Sequence, residues 1–151
     1  MFKHILLATD GSSASGPAVR LAVTLAREQN ARLTAVYVVD PYPYMGLGET
    51  NPMGLNAYLS AARDHAAVAH AKVEALCSAG KPPVALELRL IEDAGAAAGI
   101  LQTARDEGAD LIVAGSHGRT GIEKLVLGSV ANKLATLSPI PVLIARGTSP
   151  A

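Results

Sequence analysis

Two short segments of this 151-residue chain concentrate the residue types that hold anions. The first is Ala8-Thr9-Asp10-Gly11-Ser12-Ser13. The second is Gly115-Ser116-His117-Gly118-Arg119-Thr120-Gly121, joined through Ile122 to Leu127 to Gly128-Ser129-Val130-Ala131-Asn132. Glycine lets a backbone approach a ligand closely and adopt positive φ. Gly128-Ser129 stands directly before an apolar helical pattern at Val130, Leu134 and Leu137, so its amides point out of a helix N-terminus, a ready anion site. Ser129 either caps that helix or offers its hydroxyl to a phosphate. The second segment therefore carries two phosphate cradles, one at each end. Its spacing is neither G-x4-G-K-[ST] nor G-x-G-x-x-G, so it is not a P-loop or a dinucleotide fingerprint. Asp10 has two readings: a ligand contact, or a turn residue beside a glycine. Arg119 and Lys124 are either charge-assisted donors to phosphate or solvated charges. His117 reads as a solvated loop residue rather than a general base. His65 and His70 lack the i, i+4 spacing of a metal pair and read as surface residues. Cys77 reads as a small buried hydrophobe.

The elements that must position these segments follow from periodicity. Ile5 to Ala8 is a short apolar run, read as a buried strand. Ala18, Leu21, Ala22, Leu25 and Ala26 recur at helical spacing between Ala14 and Gln29, with Ser15 as N-cap and Gly16-Pro17 in the first turn. Leu33 to Val39 is a second strand. Residues 40–54 are punctuated by proline and glycine, and a loop of that length is functional or mobile. Its Tyr42, Tyr44 and Met45 form an interaction patch or fold back on the domain. The stripe Leu55, Leu59, Ala62, Ala66, Ala69, Val73 and Leu76 predicts one long helix ending near Gly80. It lies on a sheet, since its small alanine knobs make a coiled coil weak. Val84 to Ile91 is a third strand with Ala85, Glu87 and Arg89 on a wet face. Asp93 is placed to cap a helix that runs to Glu107 and ends at Gly108. Leu111 to Ala114 is the fourth strand, a helix runs through Leu137, and Val142 to Ala145 is the fifth strand. Residues 1–147 make one domain, and 148–151 read as a disordered tail.

Strands alternating with helices imply parallel βαβ units, with helices on both faces of an open, doubly wound sheet. In such sheets ligands bind where the strand order reverses, at the carboxyl ends of the strands. Sequence alone does not place that switch point. Half of the residues are apolar, and 13 basic residues balance 13 acidic ones, which argues against non-specific nucleic-acid binding. Aromatic residues are only 3%, too few for base-stacking platforms. A single cysteine excludes an internal disulfide and fits a reducing cytoplasm. No apolar run approaches the ~18 residues of a membrane span, and the first ten residues do not read as a signal peptide.

Gly115-x2-Gly118-x9-Gly128-Ser129 resembles the signature of the ATP-binding branch of the universal stress protein family. The resemblance extends to Ile5-Leu6-Leu7-Ala8-Thr9-Asp10-Gly11-Ser12, to the text around Gly115 and Gly128, and to Pro139-Ile140-Pro141-Val142-Leu143-Ile144. It covers nearly the whole chain in order. It implies a five-stranded parallel sheet of order 3-2-1-4-5, with the switch point between strands one and four, where both Gly/Ser segments emerge. It also implies ATP, accompanied by Mg²⁺ or Mn²⁺, as the ligand. Ala8 and Asp10 would meet adenine and ribose, and Val38 would pack on or bond the adenine. Gly115 and Gly118 would approach ribose and phosphates, and Gly128, Ser129 and Val130 would bind phosphates. The chain departs from the family at Ile91-Glu92-Asp93-Ala94-Gly95, where the usual glycine after strand three is missing, and in the loop 40–54. The implied function is a nucleotide-dependent switch in stress response that answers to an unidentified protein partner. A slow ATPase or nucleotidyl transferase, and a purely structural dimer, are the alternatives; no residue is assigned to catalysis. In the order 3-2-1-4-5 the last strand is an edge, and its apolar Val142-Leu143-Ile144-Ala145 invites an antiparallel pairing with a second copy.

Overall fold

The computed structural model describes residues 1–39, 52–92, 94–117 and 127–147. Five parallel strands, β1 (His4–Ala8), β2 (Arg32–Val38), β3 (Leu86–Ile91), β4 (Leu111–Gly115) and β5 (Val142–Ala145), form one sheet. Their order is β3-β2-β1-β4-β5, as the resemblance implies. The helices are α1 (Gly16–Gln29), α2 (Pro52–Ala79), α3 (Ala96–Glu107) and α4 (Ser129–Leu137). Strand β1 shows how the layers divide. Ile5 and Leu7 pack with Ala18 and Ala22 of α1 and Val73 of α2, whereas Leu6 packs with Ile100 and Leu101 of α3 and Leu134 of α4. A parallel strand covered on both faces needs an unbroken apolar run, which Ile5-Leu6-Leu7 supplies.

The register pairs Ile5 with Leu111 and Leu7 with Val113, so β1 and β4 end side by side. Strand β1 leads to β2 on one side, and β4 leads to β5 on the other. The loops leaving β1 and β4 therefore diverge at the switch point.

Several boundaries differ from the sequence reading. Helix α2 begins at Pro52, so residues 52–54 are helical rather than loop; proline suits a first turn, where its missing N–H is not needed. Residues 40–51, with Tyr42, Tyr44 and Met45, lie outside the described residues. Ser15 occupies the N-cap position of α1 but does not cap it. A 3₁₀ turn, Ser13–Ser15, already bends the chain there, and the Ser15 hydroxyl donates back to the Ser12 carbonyl at 2.8 Å. Asp93 lies outside the described residues, and the N-cap position of α3 is Gly95. Gly108, at φ +69°, ends α3 as expected. Strand β3 starts at Leu86, and its wetness is not confined to one face: Glu87 is exposed, but Leu88 and Leu90 are each 38% exposed as well. It is an edge strand, which the helical layers cover incompletely.

The long helix is anchored at its far end by α1. Arg27 donates through Nε to the Pro82 carbonyl at 3.0 Å, and through Nη2 to the carbonyls of Leu76 at 2.9 Å and Cys77 at 3.3 Å. Terminal carbonyls of a helix lack intrahelical partners, and a cation there also suits the helix dipole. No helix among the described residues is long and apolar enough to cross a membrane.

Candidate functional site

Local hydrogen bonds shape the loop after β1. Asp10 Oδ1 accepts from the Ser12 N–H at 2.9 Å and from the Ser12 hydroxyl at 2.6 Å, a turn characteristic of aspartate. The Gly11 N–H donates to Thr9 Oγ1 at 3.2 Å, and Thr9 Oγ1 lies 3.4 Å from Ser15 Oγ. Gly11 has φ +76°, and a Cβ there would stand 2.9 Å from the Ala69 Cβ of α2. Glycine is thus required twice over, by conformation and by space. The turn reading of Asp10 is realised, and it holds the carboxylate in one orientation at the sheet's carboxyl edge.

The two described ends of the second segment meet at Ser116. Its N–H donates to the Ala145 carbonyl at 3.0 Å, and its carbonyl accepts from the Gly128 N–H at 2.7 Å. Its buried hydroxyl lies 3.1 Å from Nδ1 of the half-buried His117. A Cβ on Gly128 would stand 2.9 Å from the Ser116 carbonyl oxygen, so this glycine answers first to the neighbouring backbone. A Cβ on Gly115 would stand 3.4 Å from the Ala14 carbonyl, which puts the end of β4 against the 3₁₀ turn that follows β1. The two segments therefore converge.

Gly128, not Ser129, is the N-cap of α4, and no side chain caps the helix. Ser129 is the first helical residue and is exposed. The Asn132 N–H makes the first intrahelical bond, to Gly128 at 2.9 Å. The amides of Ser129, Val130 and Ala131 precede that bond, at the positive end of the helix dipole.

Ala8, Val38 and Val130 are partly buried at the margin of one apolar cluster, the one under α3 and α4. Gly99 lets α3 come close there, since a Cβ on it would stand 3.2 Å from Val38 Cγ2. A few convergent polar groups beside an apolar wall are what a small-molecule site requires. The structure thus gathers Ala8, Asp10, Val38, Gly115, Gly128, Ser129 and Val130 at the carboxyl edge of the sheet. Gly118, Arg119 and Lys124 lie outside the described residues. The sequence assigns Thr9, Ser12 and Ser116 no role of their own and Ser15 only that of an N-cap; the density of hydroxyls in Thr9-Asp10-Gly11-Ser12-Ser13-Ala14-Ser15 is the available signal.

Three further ionisable groups behave distinctively. Cys77 is buried, as expected, and burial pushes its thiol pKa up, away from nucleophilic use. Glu92 accepts from Arg63 at 2.6 Å, and that hydrogen bond holds its carboxyl below the ordinary value. His70 corrects the surface reading: it is buried, whereas His65 is exposed. On the helix His70 lies one turn from both Ala66 and Val73, which are the residues that face the sheet.

An open parallel sheet with a glycine-lined edge at its switch point defines a doubly wound α/β domain of the kind that takes ligands at strand ends. The family model of the universal stress protein family matches residues 1–146, and the chain belongs to that family. It is 34% identical over 146 residues to a universal stress protein of Methanocaldococcus jannaschii, spanning 97% of this chain and 83% of the relative. Its fold matches the universal stress protein UspA of Lactobacillus plantarum with a TM-score of 0.78 at 26% identity, over 95% of this chain and 97% of the other. It also matches a universal stress protein solved in complex with cAMP, with a TM-score of 0.61 at 26% identity, over 97% of this chain and 98% of the other.

Proposed function

We propose that this protein binds an adenine nucleotide, ATP foremost, at the edge between β1 and β4, and that binding is a regulatory switch in stress response. The observation that carries the reading is the Gly128 N–H to Ser116 carbonyl bond. It sets the open amides of α4 beside the end of β4, which itself abuts the turn after β1. In this reading the amides of Ser129 and Val130, with Gly128, take phosphate oxygens. Gly115 and Gly118 let ribose and phosphates come close, and Arg119 pairs with phosphate. Asp10 takes ribose or adenine, and Ala8 and Val38 form the adenine wall. The donor set fits a polyanion on one side and a flat apolar ring on the other. The universal stress protein crystallised with cAMP supports the adenine assignment. Mg²⁺ or Mn²⁺ would ride on the phosphates with Asp10 alongside.

A nucleotide shifts a population only through its different affinity for the two states. Here the bound nucleotide orders the two segments and changes what the surface presents to a protein partner, in the cytoplasm and as a homodimer. The test is to denature the purified protein and identify any released nucleotide. ATP is the expected product. ADP or AMP would promote the slow-enzyme alternative. An empty protein that also resists added ATP would refute the reading.

A further inference from the structure

We infer that the docking of α2 on the sheet is gated by proton uptake at His70, and that this gate acts on the Asp10 turn. The coupling to nucleotide affinity rests on the proposed function; the gate itself does not.

His70 is 9% exposed, and among the described residues its buried Nε2 has no hydrogen-bond partner. The ring meets Tyr37 of β2 edge-on, with centroids 6.4 Å apart and planes at 82°. Around Tyr37 lie Val39, Ala66 and Ala69. A neutral ring tolerates one unbonded nitrogen, but an imidazolium presents two N–H donors and a charge. Among the described residues, the charged groups on the packed elements do not supply an ion-pair partner. On β3, Arg89 is committed to Glu107 at 2.6 Å and Glu87 at 3.0 Å. On α2, Arg63 pairs with Glu92, and Glu74 is exposed one turn beyond His70. At the β1 loop, Lys72 Nζ lies 3.4 Å from the Gly11 carbonyl, and the Asp10 carboxylate accepts from Ser12. Among the described residues none of these forms an ion pair with His70. Burial pushes the His70 pKa below its ordinary value, against a smaller upward pull from the Arg89 backbone.

The neighbours of His70 on the helix clamp the candidate site. Gly11 is seated on Ala69, and Lys72 reaches the Gly11 carbonyl. Loosening this turn of α2 therefore frees the loop that orients Asp10. The sign follows from linkage. Above the ordinary histidine pKa of about 6.5, docked and undocked states are both neutral and docking is complete. As pH falls through that value, the undocked state takes a proton that the docked state excludes. Docking then weakens until the lower, docked pKa is reached.

Amide hydrogen exchange, corrected for intrinsic rates, tests the gate on the wild type and His70→Phe at pH 7.5 and 5.5. The expected result is that residues 66–77 and 9–13 lose protection at pH 5.5 in the wild type, several-fold more than β4, and that His70→Phe abolishes this loss. Equal loss in both proteins, or none in the wild type, overturns the gate. NMR titration of the wild type keeps the test valid if His70→Phe folds poorly. The His70 ring must titrate below the ordinary histidine value of about 6.5, and titration at or above that value overturns the gate. ATP affinity at the two pH values supplies the coupling: it should fall further in the wild type than in the variant. If ATP binds at neither pH, the nucleotide reading fails while the exchange result still decides the gate.

Discussion

Asp10 has a local task that any ligand task must share. Its Oδ1 accepts two hydrogen bonds from Ser12, and an amide oxygen would accept both equally well. Asp10→Asn should therefore leave stability within about 1 kcal/mol, the scale of a lost turn or cap bond. It should weaken ATP binding roughly tenfold or more, because a charge-assisted hydrogen bond contributes about 1.5–3 kcal/mol. Calorimetry and urea unfolding on the same sample separate the two, and normal affinity in the folded variant would make Asp10 purely structural. Gly128 behaves differently. Even Gly128→Ala forces the Ser116 carbonyl or α4 to shift, because the added Cβ meets backbone at 2.9 Å rather than open space. The variant should lose ATP affinity together with some unfolding stability; full retention of both would sink the phosphate assignment. The need for these glycines was legible in the sequence, but what they approach was not. Gly11 faces a helical alanine and Gly128 a loop carbonyl, contacts that exist only once distant segments meet. His70 shows a different gap: the missing i, i+4 partner excludes a metal pair but says nothing of exposure, and its spacing from Ala66 and Val73 places it on the buried stripe.

The strands and helices were read nearly in place because their periodicities are clean and parallel strands are uniformly apolar. Errors fell where side chains compete with backbone, as at the start of α1, where Ser15 bonds to Ser12 instead of capping. A helix start at proline is also invisible to an apolar stripe, which is why the first residues of α2 were read as loop. The anchoring of α2 by Arg27 has no sequence signature at all, since it joins α1 to residues some fifty positions away. Arg27→Ala should destabilise the domain by about 1–2 kcal/mol, discounted for exposure of two of its three bonds. Urea denaturation measures this directly. Exchange should show the loss first at 76–79, and an unchanged midpoint would remove Arg27 from the account of α2.

At the scale of the molecule, alternation of strands and helices implied a parallel sheet, but strand order is a global property and came only with the family resemblance. That order leaves β5 at an edge with Val142, Leu143 and Ile144 half-buried. Leu143 packs toward the α1 side and Val142 and Ile144 toward the α4 side, so replacing any of them disturbs a core. Val142→Pro is the cleaner probe of a β5–β5 homodimer, because it removes a backbone donor. Light scattering should give about twice the chain mass for the wild type and a monomer for the variant. A monomeric wild type would reject the dimer, and a dimer surviving Val142→Pro would move the interface. As a binding module the protein should also release phosphate from ATP far more slowly than the ~1–10³ s⁻¹ of typical enzymes. A rate in that range, lost with His117→Ala, would favour the slow-enzyme alternative.

The central claim is that an adenine nucleotide sits where the β1 and β4 loops converge. The most direct measurement is an NMR titration of the isotope-labelled protein with ATP and Mg²⁺, read amide by amide. The account predicts saturable shifts concentrated at Asp10 to Ser12, Gly115 to His117 and Gly128 to Ala131, with the amino ends of the strands around His4 and Asp110 unmoved. No shifts at millimolar ATP, or saturable shifts centred on those amino ends, would contradict it.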